Sequence, residues 1–364
     1  MRILFATCLL VASATMSVAQ TMESSLGELT ITRVASGFKT PWAIGFLPAG
    51  QFLVTERRGR LFVVDPDGTK HRVSGVPKVA ADGQGGLLDV LVPRDFESSQ
   101  QIFMTFAKSQ SRGSGTAVAK ATLDTESHRL DNLETIFEIA EGSAGGRHFG
   151  SRLAEAPDGT LFVTIGDRGD APTAQDLEWH NGSVLRMTKD GASLSDNPFI
   201  GTDRAQPEIW SYGHRNPQGM GFDKNGNLWA VEHGARGGDE VNLVQKGLNY
   251  GWPVISYGRH YSGGKIGEGT TKAGMEQPKH YWDPSIAPSG LMIYEADMFP
   301  EWDNDIFIGS LKFDYISRLS GPNLNEVEAL KSPETKRVRD IRQAPDGSIW
   351  FISEDRGAIY QLSR

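Results

Sequence analysis

GQFLVT (50–55), QQIFMTF (100–106), GTLFVTI (159–165), GNLWAVE (226–232), NDIFIGS (304–310) and GSIWFIS (347–353) are one phrase written six times: a polar turn, then an alternating aromatic and aliphatic run. Each follows another apolar run across a turn such as PAG, PDG or KNG, so the unit reads strand, tight turn, strand. The phrases return at intervals of roughly 45 to 75 residues, each interval holding several short strands and no helical period. That pattern fits propeller blades better than a sandwich or a βαβ array. The reading is all-β: a six-bladed β-propeller of four-stranded antiparallel blades.

The two ends support closure of the ring. TERRGRLFVVD (55–65) matches SEDRGAIYQLS (353–363), so the first and last blades look alike. LGELTITRVAS (26–36) alternates like a strand ahead of the first full unit. It is expected to complete the last blade and remove its open edge.

One large β domain over residues 20–364 accommodates the length, and the 42 Gly and 18 Pro are spread over turn positions with no linker among them. The stretch 252–285 is Gly-rich and aromatic without alternation, and reads as a long ordered excursion. Residues 1–19 hold Arg2, the apolar run ILFATCLLVASA, and SVA before Gln20, the pattern of a signal peptide cleaved after Ala19 for export to the periplasm. Cys8, the single cysteine, would leave with it, so the mature chain would have no disulfide and no cysteine nucleophile. Without Arg2 the chain carries 36 basic against 45 acidic residues, a charge of −9. No basic stripe interleaved with aromatics is visible, which disfavours nucleic acid and leaves small neutral substrates or divalent cations.

In a propeller the residues preceding each innermost strand meet around one mouth of the channel. That rule selects Gln84 in GQGG (83–86), His148 in GGRHFGSR (145–152), Arg215 and Asn216 in YGHRNPQG (212–219), Ser285 in PSIAPSG (284–290), and Arg337 and Arg339 in KRVRD (336–340). Taken singly, each has an ordinary reading: His148 a surface turn, Gln84 a cap, Arg337 and Arg339 a salt-bridged pair on one strand face. Their shared position is what joins them into one polar space. GxSxG, HExxH, GxxxxGK[ST] and GxGxxG motifs are all missing, and the eight histidines lack zinc spacing. In EHGARGGDEVNLV, Asp239 and Glu240 follow a Gly-rich loop whose carbonyls suit calcium; the ordinary alternative is a solvent-facing acidic pair after a turn.

GQGGLLDV, GGRHFGSRL, GDRGD, YGHRNPQG, EHGARGGDEVNLVQKGLNYGWP, SIAPSG, GSLK and RVRDI, in this order, resemble the motifs of the soluble quinoprotein glucose/sorbosone dehydrogenases, and among them the bacterial aldose sugar dehydrogenases. The resemblance implies pyrroloquinoline quinone (PQQ) and calcium as cofactors and aldose sugars as substrates. It implies His148 as the catalytic base and Gln84 beside both sugar and cofactor. Arg215, Asn216, Tyr261, Lys312, Arg337 and Arg339 would hold PQQ. Carbonyls of Gly234 and Ala235 would bind one calcium, and Glu240 with the Tyr250 carbonyl a second. Arg168 stands where glucose-specific members carry a shorter side chain, which leaves sugar preference open. Electron acceptor and oligomeric state, monomer or dimer, are not legible. Two rival readings are a calcium-dependent propeller lactonase, which needs acids or amides converging on the channel, and a non-catalytic binding module, which needs neither His148 nor the arginines.

Overall fold

Every position of the segments Phe52–Glu56, Leu161–Ile165 and Ile306–Ser310 is buried, whereas the outer strand Arg129–Glu138 is mostly exposed. A strand in the middle of a blade is covered on both faces by neighbouring blades, so it keeps large apolar side chains on both. This is why the repeated phrase is the most apolar part of each unit. The computed structural model describes residues 20–364, and the signal-peptide expectation lies outside them.

Six antiparallel sheets form the ring. Blade I is Pro41–Phe46, Phe52–Glu56, Arg60–Val64 and Lys70–Val73; blade II is Leu87–Leu91, Gln101–Gln110, Gly113–Asp124 and Arg129–Glu138. Blade III is Leu153–Glu155, Leu161–Ile165, Ser183–Met187 and Ile209–Tyr212; blade IV is Pro217–Phe222, Leu228–Glu232, Asp239–Val244 and His280–Trp282. Blade V is Pro288–Ile293, Ile306–Ser310, Ile316–Ser320 and Asn325–Leu330. Blade VI takes Val338–Gln343, Ile349–Ser353 and Ala358–Ser363 from the end of the chain and Gly27–Ser36 from its start, with Thr30 opposite Ser363 and Ser36 opposite Ala358. The ring is closed as the terminal segments implied.

Two details differ from the sequence reading. Blade VI has a fifth strand, Gln20–Ser24, folded back on Gly27–Ser36. The reason is apolar: Met22, Leu29 and Ile31 are buried in a cluster with Trp302 and Phe307 of blade V. Within the 252–285 excursion, His280–Trp282 is the outer strand of blade IV, hidden in the sequence because three residues are too few to show alternation.

The channel is stoppered below its mouth. Arg152 lies 3.0 Å from Asp89 and 3.1 Å from Asp340, while Arg342 lies 2.9 Å from Asp89 and 3.0 Å from Asp340. The Arg152 guanidinium sits 4.6 Å from the ring centre of Trp42 and donates to the Gln218 carbonyl. Five blades are thereby tied across the axis. Two charges of each sign cancel, so this stopper adds no net charge to the space above it. No helix among the described residues is long and apolar enough to cross a membrane.

Candidate active site

Antiparallel pairing decides what reaches the mouth. Inner strands begin there, and their neighbours run back and end there: Pro41 faces Glu56, Pro217 faces Glu232 and Val338 faces Ser353. Two rows of residues therefore line the opening. The first row, preceding the inner strands, contains the sequence candidates. The second, ending the middle strands, supplies carboxylates that the sequence reading passed over.

Gln84, His148, Arg215, Asn216, Tyr261, Lys312, Arg337, Arg339, Gly234 and Ala235 all line three adjoining cavities that share Gln84, His233, Ala235 and Tyr261. His148 has left-handed backbone (φ 52°), and its main-chain N–H donates to Gln84 Oε1 at 2.7 Å. Its Nδ1 is 2.6 Å from Asp167 Oδ1. Asp167 also accepts from the Gly169 N–H at 2.7 Å and from Trp252 Nε1 at 2.8 Å. Burial alone would raise the Asp167 carboxyl, but His148, the Gly169 N–H and Arg215 outweigh it and hold it below the usual carboxylate range. An ionised carboxylate only accepts, so Nδ1 carries a proton, and in the neutral ring the lone pair is on Nε2. Asp167 and Trp252 were missed, although the first lies in the quoted GDRGD and the second in NYGWP.

The cations converge by different routes. Arg339 donates to Glu354 at 2.8 Å and Arg337 lies 3.3 Å from the same oxygen. Burial would raise the Glu354 carboxyl, yet the two guanidinium groups overcome this and keep it low. Arg337 does not alternate with Arg339 along one strand, as the sequence suggested: it precedes Val338–Gln343 in left-handed backbone (φ 49°), and Glu354 is what brings the two heads together. Arg215 is buried, donates to the His233 carbonyl at 3.3 Å, lies 5.2 Å from the Trp252 ring centre, and leaves its Nε without a partner among the described residues. Lys312 forms no ion pair among the described residues. Ser285 serves structure: its hydroxyl donates to Asp239 at 2.6 Å. Tyr261 is 74% exposed at the rim.

His233 lines the well and was also missed. Its Nε2 lies 2.6 Å from the Pro288 carbonyl, which fixes the proton there, and burial with Arg215 nearby depresses its pKa to about 3. It is a neutral imidazole among cations.

Asp239 and Glu240 are not the solvent-facing pair of the ordinary reading. Asp239 is fully buried and accepts from the Gly234 N–H at 2.8 Å, from Ser285, and from the Ala287 N–H at 2.9 Å. A Cβ on Gly234 would meet the Gly237 and Gly238 carbonyl oxygens at 2.3 Å, so only glycine lets this loop fold back. Glu240 shares a small cavity with Glu232, Gly234 and Tyr250. Its hydrogen bond among the described residues is a long one, 3.3 Å from Asn242. Burial, then the Glu232 charge, push it up to about 8. Glu232 is itself engaged, 2.8 Å from His214 Nδ1 and 2.6 Å from the Arg215 N–H.

Arg168 is turned away from the mouth. It is 1% exposed, its guanidinium stacks 3.4 Å from the ring centre of Phe149, and it donates to the carbonyls of Arg147 and Ser114. Desolvation lowers its pKa to about 10. It supports the His148 loop from beneath and lines none of the three cavities.

A closed six-bladed ring with an imidazole–carboxylate pair and an excess of guanidinium groups at one mouth falls in the class of propeller sugar oxidoreductases. The chain belongs to the glucose/sorbosone dehydrogenase family, whose sequence profile matches residues 38–361. It is 42% identical over 332 residues to aldose sugar dehydrogenase YliI of Escherichia coli (strain K12), covering 89% of this chain and 90% of that protein. The crystal structure of the soluble aldose sugar dehydrogenase from Escherichia coli in the apo-form superposes with a TM-score of 0.88 at 39% identity, over 92% of this chain and 99% of that one. The PQQ-bound form of aldose sugar dehydrogenase from Streptomyces coelicolor gives 0.77 at 27% identity, over 92% and 98%.

Proposed function

We propose that the protein is a PQQ- and calcium-dependent aldose dehydrogenase that oxidises the anomeric carbon of aldoses to lactones, acting in the periplasm after removal of residues 1–19. The observation that carries this reading is the His148–Asp167 pair opening onto the same well as Arg215, Lys312, Arg337 and Arg339.

The residues present fit the implied cofactors. Arg215, Lys312, Arg337 and Arg339 outnumber the carboxylates Glu354, Asp167 and Asp283 that line the same cavities, a surplus suited to a tricarboxylate, and the Arg215 Nε, without a partner among the described residues, is a buried donor in want of an acceptor. Arg215, Asn216, Lys312, Arg337 and Arg339 would hold PQQ, with Tyr261 at the rim. Among the described residues no three His, Cys, Asp or Glu side chains converge as ligands, so a calcium ion would rest on carbonyls, those of Gly234 and Ala235 for one and that of Tyr250 with the Glu240 carboxylate for another. Glu240, half-buried and short of donors, keeps its proton without an ion and would become a carboxylate ligand once a cation offset the Glu232 charge and the burial that raise it. The chemistry that PQQ with calcium supplies when bound is acceptance of a hydride.

The chain's own residues do the rest. Asp167 holds Nδ1–H of His148, leaving Nε2 free to take the proton of the anomeric hydroxyl. Gln84 fixes the main chain of His148, and Trp252 fixes Asp167. Arg168, wedged under Phe149, keeps the loop that carries His148 in place.

Purified apoprotein reconstituted with PQQ and calcium is expected to reduce an artificial dye in the presence of aldoses, with both additions required. His148→Gln is expected to abolish turnover while leaving PQQ binding intact. Wild-type rates in that variant, or sugar turnover without the quinone, would refute the assignment.

A further inference from the structure

Among the described residues, exposed cations elsewhere on this molecule are in part paired, as Lys108 with Glu138 at 3.0 Å, Arg129 with Asp131 at 2.9 Å and Lys336 with Asp314 at 2.9 Å, and in part, as Arg33, Arg58 and Lys78, not. What sets the mouth apart is the balance of signs around one opening. Arg57, Arg147 and Arg236 line the three cavities, and no carboxylate among the described residues lies within salt-bridge distance of them. Among the described residues Asp283 is the one exposed carboxylate lining those cavities; Asp167 is buried and Glu354 is held by Arg337 and Arg339. A local excess of positive charge therefore rings the opening of a chain whose formal charge is −8.

This collar is surplus to the reading given above. PQQ would be met by Arg215, Lys312, Arg337 and Arg339, and an aldose is neutral. The remaining reactant is the one that takes the electrons away. Oxidation of the sugar removes a hydride and a proton, so each turnover must deliver two electrons to an acceptor and release two protons to solvent. With a one-electron acceptor, two molecules are reduced per sugar. Arg236 and Arg147 line concave cavities of about 770 and 420 Å³ and Arg57 an adjoining one of about 110 Å³, which suit a small molecule that enters rather than a flat protein face.

We propose that Arg57, Arg147 and Arg236 draw a small anionic electron acceptor into the mouth, a role that rests on the dehydrogenase reading. Unpaired charge at the rim of a low-dielectric well raises the local concentration of counter-ions and the rate of encounter, and salt screens it.

The test uses the PQQ- and calcium-loaded protein at saturating glucose. The kcat/KM for hexacyanoferrate(III) is expected to fall about tenfold between low and physiological salt, and that for hexaammineruthenium(III) to rise. Arg147→Gln and Arg236→Gln are each expected to lower the hexacyanoferrate value roughly three- to tenfold, to flatten its salt dependence, and to leave kcat/KM for glucose unchanged. A hexacyanoferrate rate that is flat or rises with salt, as the whole-molecule charge alone would give, overturns the proposal. So does a salt dependence confined to an anionic sugar such as glucuronate, which would assign the collar to the substrate. A second readout needs no turnover: calorimetric titration with redox-inert hexacyanocobaltate(III) should show binding weakened by both substitutions. If the dehydrogenase reading itself failed, no acceptor would be reduced, whereas failure of the collar alone leaves glucose oxidation intact and hexacyanocobaltate binding insensitive to Arg147 and Arg236.

Discussion

The Nδ1 of His148 lies 2.6 Å from Asp167 Oδ1, and the other oxygen of that carboxylate is held by Trp252. The imidazole is thereby fixed in one tautomer, with its free nitrogen available to the well. Asp167→Asn removes this control, because an amide can present its NH₂ to Nδ1 and reverse the tautomer. Turnover is expected to fall about 10²- to 10⁴-fold, with dye-coupled kcat lost and PQQ affinity from fluorescence titration little changed.

Arg337 and Arg339 share Glu354, so removing one cation also leaves that carboxylate less compensated. Arg339→Ala is expected to weaken PQQ binding by more than about tenfold, a loss of 1.4 kcal/mol or more, measured by titration of the apoprotein. Adding Glu354→Gln to that variant should restore part of the affinity. No recovery in the double variant would place Glu354 outside the electrostatics of the well.

Glu240 and Glu232 repel each other in a buried cavity. Calcium at saturating concentration, about 100 times Kd, is expected to stabilise the wild type by about 2.7 kcal/mol and to raise its melting temperature. In Glu240→Gln the calcium-free protein should melt no lower than wild type, and the increment from calcium should shrink. Equal increments in both proteins would remove Glu240 from the ion's ligands.

Glu354 is held below its ordinary pKa by Arg339 and Arg337 despite its burial. A group depressed in the folded state contributes stability above its unfolded pKa and loses it as pH falls through the folded value. The stability difference between wild type and Glu354→Gln should therefore be constant above about pH 5 and close progressively in more acid solution. Thermal melts across that range measure it; a gap that widened toward low pH would contradict the pairing.

Arg168 stacks on Phe149 and lies outside the cavities. Arg168→Ala is expected to cost about 2–4 kcal/mol of stability, through a buried void and orphaned carbonyls, while the ratio of kcat/KM between different aldoses stays the same. A changed ratio without a change in melting temperature would return Arg168 to the sugar site.

The first row of the mouth was readable because it depends on chain order alone: whatever precedes an inner strand must arrive there. The second row was not. Glu232 and Glu354 end the repeated phrase or follow it, and the likeness of TERRG to SEDRG already marked an acid at one fixed place. Only antiparallel return brings that place opposite the inner strand of the same blade. The place of Arg168 was left open for a related reason: GDRGD shows that a basic residue follows a strand, but its side-chain direction depends on backbone of positive φ and on the Phe149 ring in another segment.

By itself the sequence determined the ring. Alternation, turn residues and a sixfold phrase are local signals, and they sufficed for the blade number, for closure by residues 26–36, and for the side of the molecule where His148 and the arginines gather. Tertiary structure alone decided which polar groups meet: Asp167 with Trp252, 85 residues apart, and Asp89 with Arg342, 253 apart. Such pairs carry no periodic trace in the chain, because their distance is set by the packing of whole blades and their energy by burial, neither of which a string of residues records.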